Sequence, residues 1–104
     1  MLIVTTESLP GRPYEALGVV KGNVVQSKNF GKDFMSAMKT LVGGEVVAYT
    51  EMLSEARQIA VGRMVKEAEA LGADAIVCLR FASSSVMQGA AECIAYGTAV
   101  KFLQ

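Results

Sequence analysis

The sequence predicts an α+β domain in which two helices pack on an antiparallel or mixed sheet, in the order β-β-α-α-β-β. Three observations predict it. Apolar and β-branched runs of strand length stand near both ends of the chain, around Leu2–Val4, Leu17–Val25, Ala75–Phe81 and Ile94–Phe102. Two stretches between them carry apolar residues at helical spacing. Gly and Pro punctuate the joins. Strands segregated from helices in this way pack the helices against a sheet. With 104 residues the chain is one domain, 1–104.

Met1–Thr6 reads as a short strand on Leu2, Ile3 and Val4. Ser8, Pro10, Gly11 and Pro13 make Glu7–Pro13 a turn. Tyr14–Gln26 reads as a long second strand. Gly18 and Gly22 interrupt it, which predicts a bulge or a close backbone approach. A tight turn at Lys21-Gly22-Asn23, splitting the strand in two, is the alternative.

The first helix is expected over Phe30–Val42, with Asn29 as N-cap. Phe30, Phe34, Ala37, Met38, Leu41 and Val42 form its apolar stripe, and Gly43 stands at its C-cap. The second helix is expected over Glu51–Leu71, with Thr50 as N-cap and Gly72 just past the end. Its stripe is Leu53, Ala56, Ala60, Met64, Ala68 and Leu71. Gly62 stands mid-helix, at a cost of about 1 kcal/mol relative to Ala, and a close contact there would be one reason for it.

Ala73–Ala82 reads as the third strand, with Ala75, Val77, Leu79 and Phe81 facing one way and Ile76 and Cys78 the other. Both sides are apolar at its start, so it is expected to be central or covered on both sides. Ser83–Ala90 reads as a polar loop and Ala91–Leu103 as the fourth strand. On that strand Ala95, Gly97 and Ala99 make one face small enough for a helix or a neighbouring subunit to lie on it.

Counting Gly and leaving out Tyr, about 59% of the chain is apolar, against ~45–50% in ordinary domains. A small domain has little interior, so part of this surplus is expected on the surface, where large apolar patches mark interfaces. The chain is therefore expected to work as a homo-oligomer. Ten Lys plus Arg balance ten Asp plus Glu, with no basic concentration, so no nucleic-acid partner is expected. Met1–Pro10 lacks the features of a signal peptide. No apolar run approaches the ~20 residues of a membrane span. A cytoplasmic location follows by default, with both cysteines as reduced thiols.

No histidine occurs in the chain, which removes the most versatile acid/base group. Ser83-Ser84-Ser85 has neither a nucleophile-elbow context nor a histidine partner. No catalytic residue is assigned, and the chain leans away from being an enzyme. Two ligand-binding possibilities remain. Gly43-Gly44 precedes a helix whose N-terminus could receive an anion, although Glu45 and Glu51 would repel one and a C-cap with a flexible connection explains the pair as well. Asp33, Tyr49, Glu51 and Arg57 could converge at the shared end of the two helices and hold a small ligand. The plainer account is favourable charge in first helical turns, with Arg57 on a solvated face.

Several segments, taken in order, resemble a known family. They are Leu17-Gly18-Val19-Val20-Lys21-Gly22; Lys32-Asp33-Phe34, followed later by Val42-Gly43-Gly44; Tyr49 with Glu51; Glu67-Ala68; Ala70-Leu71-Gly72-Ala73-Asp74-Ala75-Ile76-Val77; and Tyr96-Gly97-Thr98-Ala99-Val100. Together they resemble the YbjQ family of small bacterial proteins over almost the whole chain. The resemblance implies subunits that assemble into ring-shaped pentamers. It also implies a heavy-metal-binding label with no established activity behind it. One departure is visible: where the family has a basic residue and then small polar residues after the double glycine, Glu45, Val46 and Val47 follow here. For the metal, the candidate ligands are Cys78 and Cys93. They have no C-x-x-C spacing, and a structural zinc site would need further ligands from other subunits. The alternative is that each is a small buried hydrophobe on a strand.

Overall fold

The computed structural model describes residues 1–27, 41–42, 45–87 and 90–103. Its elements are β1 (Leu2–Ile3), β2 (Tyr14–Ser27), β3 (Leu41–Val42), β4 (Glu45–Val46), α1 (Val47–Ala70), β5 (Ala75–Met87) and β6 (Ala90–Phe102). The main sheet has the order β1-β5-β6-β2. It is mixed: β1 runs parallel to β5, while β5–β6 and β2–β6 are antiparallel. β3 and β4 form a separate two-stranded ladder.

This corrects the predicted β-β-α-α-β-β order. Among the described residues a single helix packs on the sheet. The expected first helix, Phe30–Val42, lies outside the described residues except for its last two, and Leu41–Val42 are strand, paired with Val46 and Glu45. Helix α1 begins at Val47, straight after β4, so Thr50 lies inside the helix and is not its N-cap.

Helix α1 packs on the sheet through Met52, Ala56, Ala60, Met64 and Ala68, all buried and all four residues apart, which places them on one stripe. Four of the five were expected. Met52 takes the place of Leu53 at one end, and Leu71 at the other is exposed because it has already left the helix. The C-terminus ends as expected. Gly72 has φ +76°, its N–H bonds the Glu69 carbonyl at 3.0 Å, and the Ala73 N–H reaches the Ala68 carbonyl at 3.1 Å. Those two bonds make a Schellman cap.

Strand β2 is continuous, so the split at Lys21-Gly22-Asn23 does not occur. Both glycine expectations hold. The β2–β6 register shifts between Ala16 and Gly18, a bulge, with Gly18 at φ +144°. Gly22 is where helix and strand touch backbone to backbone: a Cβ there would collide with the Ala60 carbonyl and the Met64 amide. Gly62, in contrast, has open space beside it among the described residues, so no close contact there accounts for it.

Strand β5 is longer than predicted. Ser83–Met87 continue the strand and are no loop, because Ser83, Ser84 and Ser85 pair with Cys93, Glu92 and Ala91 of β6. Backbone pairing there overrides the weak strand preference of serine. A second bulge lies between Val77 and Arg80, with Cys78 in the left-handed region at φ 59°. It reverses the alternation. Cys78 stays on the side of Val77, and Leu79 joins Ile76 beneath the helix, so the expected grouping of Leu79 with Val77 fails.

The start of β5 is covered on both faces, as expected. The helix side holds Val20, Val24, Ile76, Cys93, Ala95 and Ala99 with the α1 stripe. The other side holds Ala75, Val77 and Val100, packed against Val4, Leu9, Tyr14 and Phe102. The N-terminal segment is tied down there by Arg80 donating to the Thr5 carbonyl at 3.0 Å, the Cys78 N–H donating to the Thr6 carbonyl at 3.0 Å, and Arg12 stacking over the Phe102 ring at 3.9 Å.

Candidate functional site

Helix α1 lies over β2 and β6, and the outer half of β5 runs past it. Phe81 pairs with Ala95, whose side chain is in the helix-side core, so Phe81 also rises on the helix side. It is 44% exposed. Ser54, Arg57, Gln58 and Val61 stand on the facing flank of α1 at the i, i+3, i+4, i+7 spacing of one helical stripe. Together with Phe81 they line an open groove of about 400 Å³. Val61 and Phe81 supply apolar walls; Ser54, Arg57 and Gln58 supply a hydroxyl, a guanidinium and an amide. Such a set suits a small molecule with one apolar part and one anionic or polar part, since guanidinium is the side chain best shaped for carboxylate or phosphate.

Of the six predicted ligand-binding residues, Arg57 lines this groove. Glu51 is exposed on α1 one turn before Ser54, on the same side of the helix by its i, i+3 spacing, but it is not among the residues that line the groove. Tyr49 falls in the first turn of α1. Asp33, Gly43 and Gly44 lie outside the described residues. Phe81, Ser54, Gln58 and Val61 were not singled out from the sequence. The helical spacing of the last three with Arg57 was readable, but Phe81 enters the groove only because the bulge at Cys78 turns it there.

The two cysteines are free and sit on opposite faces of the sheet. Cys93 is 2% exposed in the core beneath α1. Cys78 packs on the other side, its Sγ 3.8 Å from the Thr6 carbonyl. Cys78 lies in the bulge across from Gly97, four residues along β6 from Cys93, or about 13 Å of strand. Among the described residues no group of three or more His, Cys, Asp or Glu is placed to hold a metal ion.

Substantial apolar surface stays uncovered. Val19 is 74% exposed and Met87 67%, and Val25, Val86 and Tyr96 are exposed as well. The radius of gyration is 17.0 Å, against ~13 Å for a compact domain of this size.

Comparison with known proteins places this fold in a group. A YbjQ family model, described as "Putative heavy-metal-binding", matches residues 1–103. A UPF0145 protein of Clostridium novyi is 58% identical over 103 residues, covering 99% of this chain and all of that one. A UPF0145 protein of Thermotoga petrophila is 64% identical over 102 residues, covering 97% and 96%. A crystal structure of a protein of unknown function from Pediococcus pentosaceus, assigned to the DUF74 family, superposes with a TM-score of 0.67. It is 19% identical in sequence, with 98% of this chain and 97% of that one covered, a likeness of fold alone.

Proposed function

Because the chain belongs to the YbjQ family over residues 1–103, we propose that it works as a homo-oligomer, a pentameric ring, that binds a small amphipathic anion in the groove of Ser54, Arg57, Gln58, Val61 and Phe81 at a subunit boundary. The observation that carries this reading is the groove itself: Arg57 and Phe81 both line it, and it is open on one side. A neighbouring copy would close it and exclude water, which strengthens a charged contact. The exposed Val19, Val25, Tyr96, Val86 and Met87 support the self-association that closure requires. The partner is the chain itself and neither nucleic acid nor a membrane. No described helix is long and apolar enough to cross one. We place the protein in the cytoplasm, where unpaired thiols such as Cys78 and Cys93 persist.

A second reading, an interaction module with no ligand, is favoured by one observation. β1 pairs with only the first residues of β5, so among the described residues the outer edge of β5 beyond Leu79 has no neighbouring strand. An open strand edge is a template for another chain.

Native mass spectrometry of the protein as purified separates the two. A ring that retains a small organic mass, lost in Arg57→Ala with the ring intact, supports the first. A ring with no retained mass, and none taken up from a panel of small carboxylates and phosphates, supports the second. A folded monomer at micromolar concentration would refute the first.

A further inference from the structure

We infer that this chain has no heavy-metal site of its own, so the metal-binding description of its family does not carry over to it. Soft and heavy metals are held chiefly by thiolates and imidazoles, with thioethers as further ligands for Cu(I). The full sequence contains two cysteines and no histidine, so one chain can offer such a metal at most two thiolates. The fold keeps even these two apart. A metal bonded to two sulfurs at ~2.3 Å each brings them within about 4.6 Å of one another. Cys78 and Cys93 are separated along the sheet by four residues of β6 and project from opposite faces, and no side-chain rotation crosses a hydrogen-bonded sheet.

Each thiol taken singly is also poorly placed. Cys93 is 2% exposed among Val24, Ala56, Ala60 and Ala95, in a cluster whose one other sulfur among the described residues belongs to Met64. Reaching it would mean lifting α1 off the sheet, so it cannot be shared with a second copy. Cys78 faces the Thr6 carbonyl beneath the N-terminal segment. Pooling Cys78 from several copies is the remaining route to a thiolate site, and the experiment covers it. The inference is independent of the groove reading, since neither cysteine lines the groove.

The full-length protein is purified under reducing conditions, incubated with excess Zn(II) and, separately, Cd(II) or Cu(I), and desalted. Metal is then counted by elemental analysis and native mass spectrometry, before and after incubation. The expected result is below roughly 0.1 metal per subunit throughout, with a thermal midpoint that metal does not raise. The same is expected for Cys78→Ser and Cys93→Ala, with Cys93→Val as the substitute if removing core volume prevents folding. One metal per subunit, or a fixed number per assembly, that disappears in Cys78→Ser or in the Cys93 variant would overturn the inference. A metal-dependent rise in thermal midpoint abolished by either variant would overturn it as well.

Discussion

The backbone of Gly22 in β2 rests against the backbone of Ala60 in α1, with no room between them for a side-chain carbon. This contact fixes the height of the helix above the sheet, and the small residues Ala56, Ala60, Ala95 and Ala99 around it are the ones that permit so close an approach. Gly22→Ala must push the helix outward. Overpacking of a tight site costs ~1–3 kcal/mol, and because backbone is the obstacle here, the upper end or beyond is expected. Urea unfolding followed by circular dichroism would show the lowered midpoint.

Met64 lies on the same buried stripe and is fully enclosed. Met64→Ala leaves a cavity between helix and sheet and should destabilise by about 2–5 kcal/mol. Met64→Leu, which conserves volume, should cost under ~1.5 kcal/mol. The pair of urea midpoints distinguishes loss of packing from any role for the sulfur.

Acid should loosen the end of β6. The Phe102 N–H donates to Asp74 at 2.9 Å and the Lys101 ammonium at 3.3 Å. The first of these, then the second, hold the Asp74 carboxyl below its ordinary value against the opposing effect of desolvation. A carboxylate lowered in the folded state stabilises fully above the unfolded value of ~3.9 and loses that contribution as pH falls through the folded value. The thermal-midpoint difference between wild type and Asp74→Asn should therefore be largest at neutral pH and shrink below about pH 4. A difference constant from pH 7 to pH 3 would contradict the assignment.

Gly62 has nothing beside it among the described residues. In a free subunit, Gly62→Ala should stabilise by up to ~1 kcal/mol through helix propensity. If a neighbouring copy uses that gap, the same change should instead weaken assembly. Sedimentation velocity and thermal unfolding of the variant, run side by side, read the two effects separately.

Arg57 is exposed on the groove wall. Arg57→Ala should leave stability within ~0.5 kcal/mol, while a ligand held by a charge-assisted bond should bind roughly tenfold or more weakly. Isothermal titration with whatever mass the native protein retains makes the comparison.

Much of the scaffold could be read from residues alone. The helix stripe at Ala56, Ala60, Met64 and Ala68, the cap at Gly72, the bulge at Gly18, the close approach at Gly22 and the doubly covered start of β5 each follow from a local rule. The misreadings have local causes too. Serines 83–85 look like a loop, yet a ladder with β6 holds them extended, and pairing between distant residues leaves no local signature. The left-handed Cys78 is invisible in sequence because a non-glycine residue rarely adopts that conformation, and missing it put Leu79 and Phe81 on the wrong face. Phe81 was lost to the groove for the same reason. Arg57 was found by its type and place on a helix, but the company proposed for it was set by convergence at the shared end of two helices, whereas the groove sets it with Ser54, Gln58, Val61 and Phe81.

The outer edge of β2 is guarded. Glu67 accepts the Lys21 N–H at 3.2 Å, and Arg63 donates to the Asn23 carbonyl at 2.7 Å, while the bulge at Gly18 breaks the ladder further along. Among the described residues of β2 no stretch of six is left on that flank to serve as a template for amyloid-like stacking. A sheet closed to strangers on one flank can add a strand only on the other, so stacking ends after a single addition and cannot run on into a fibre.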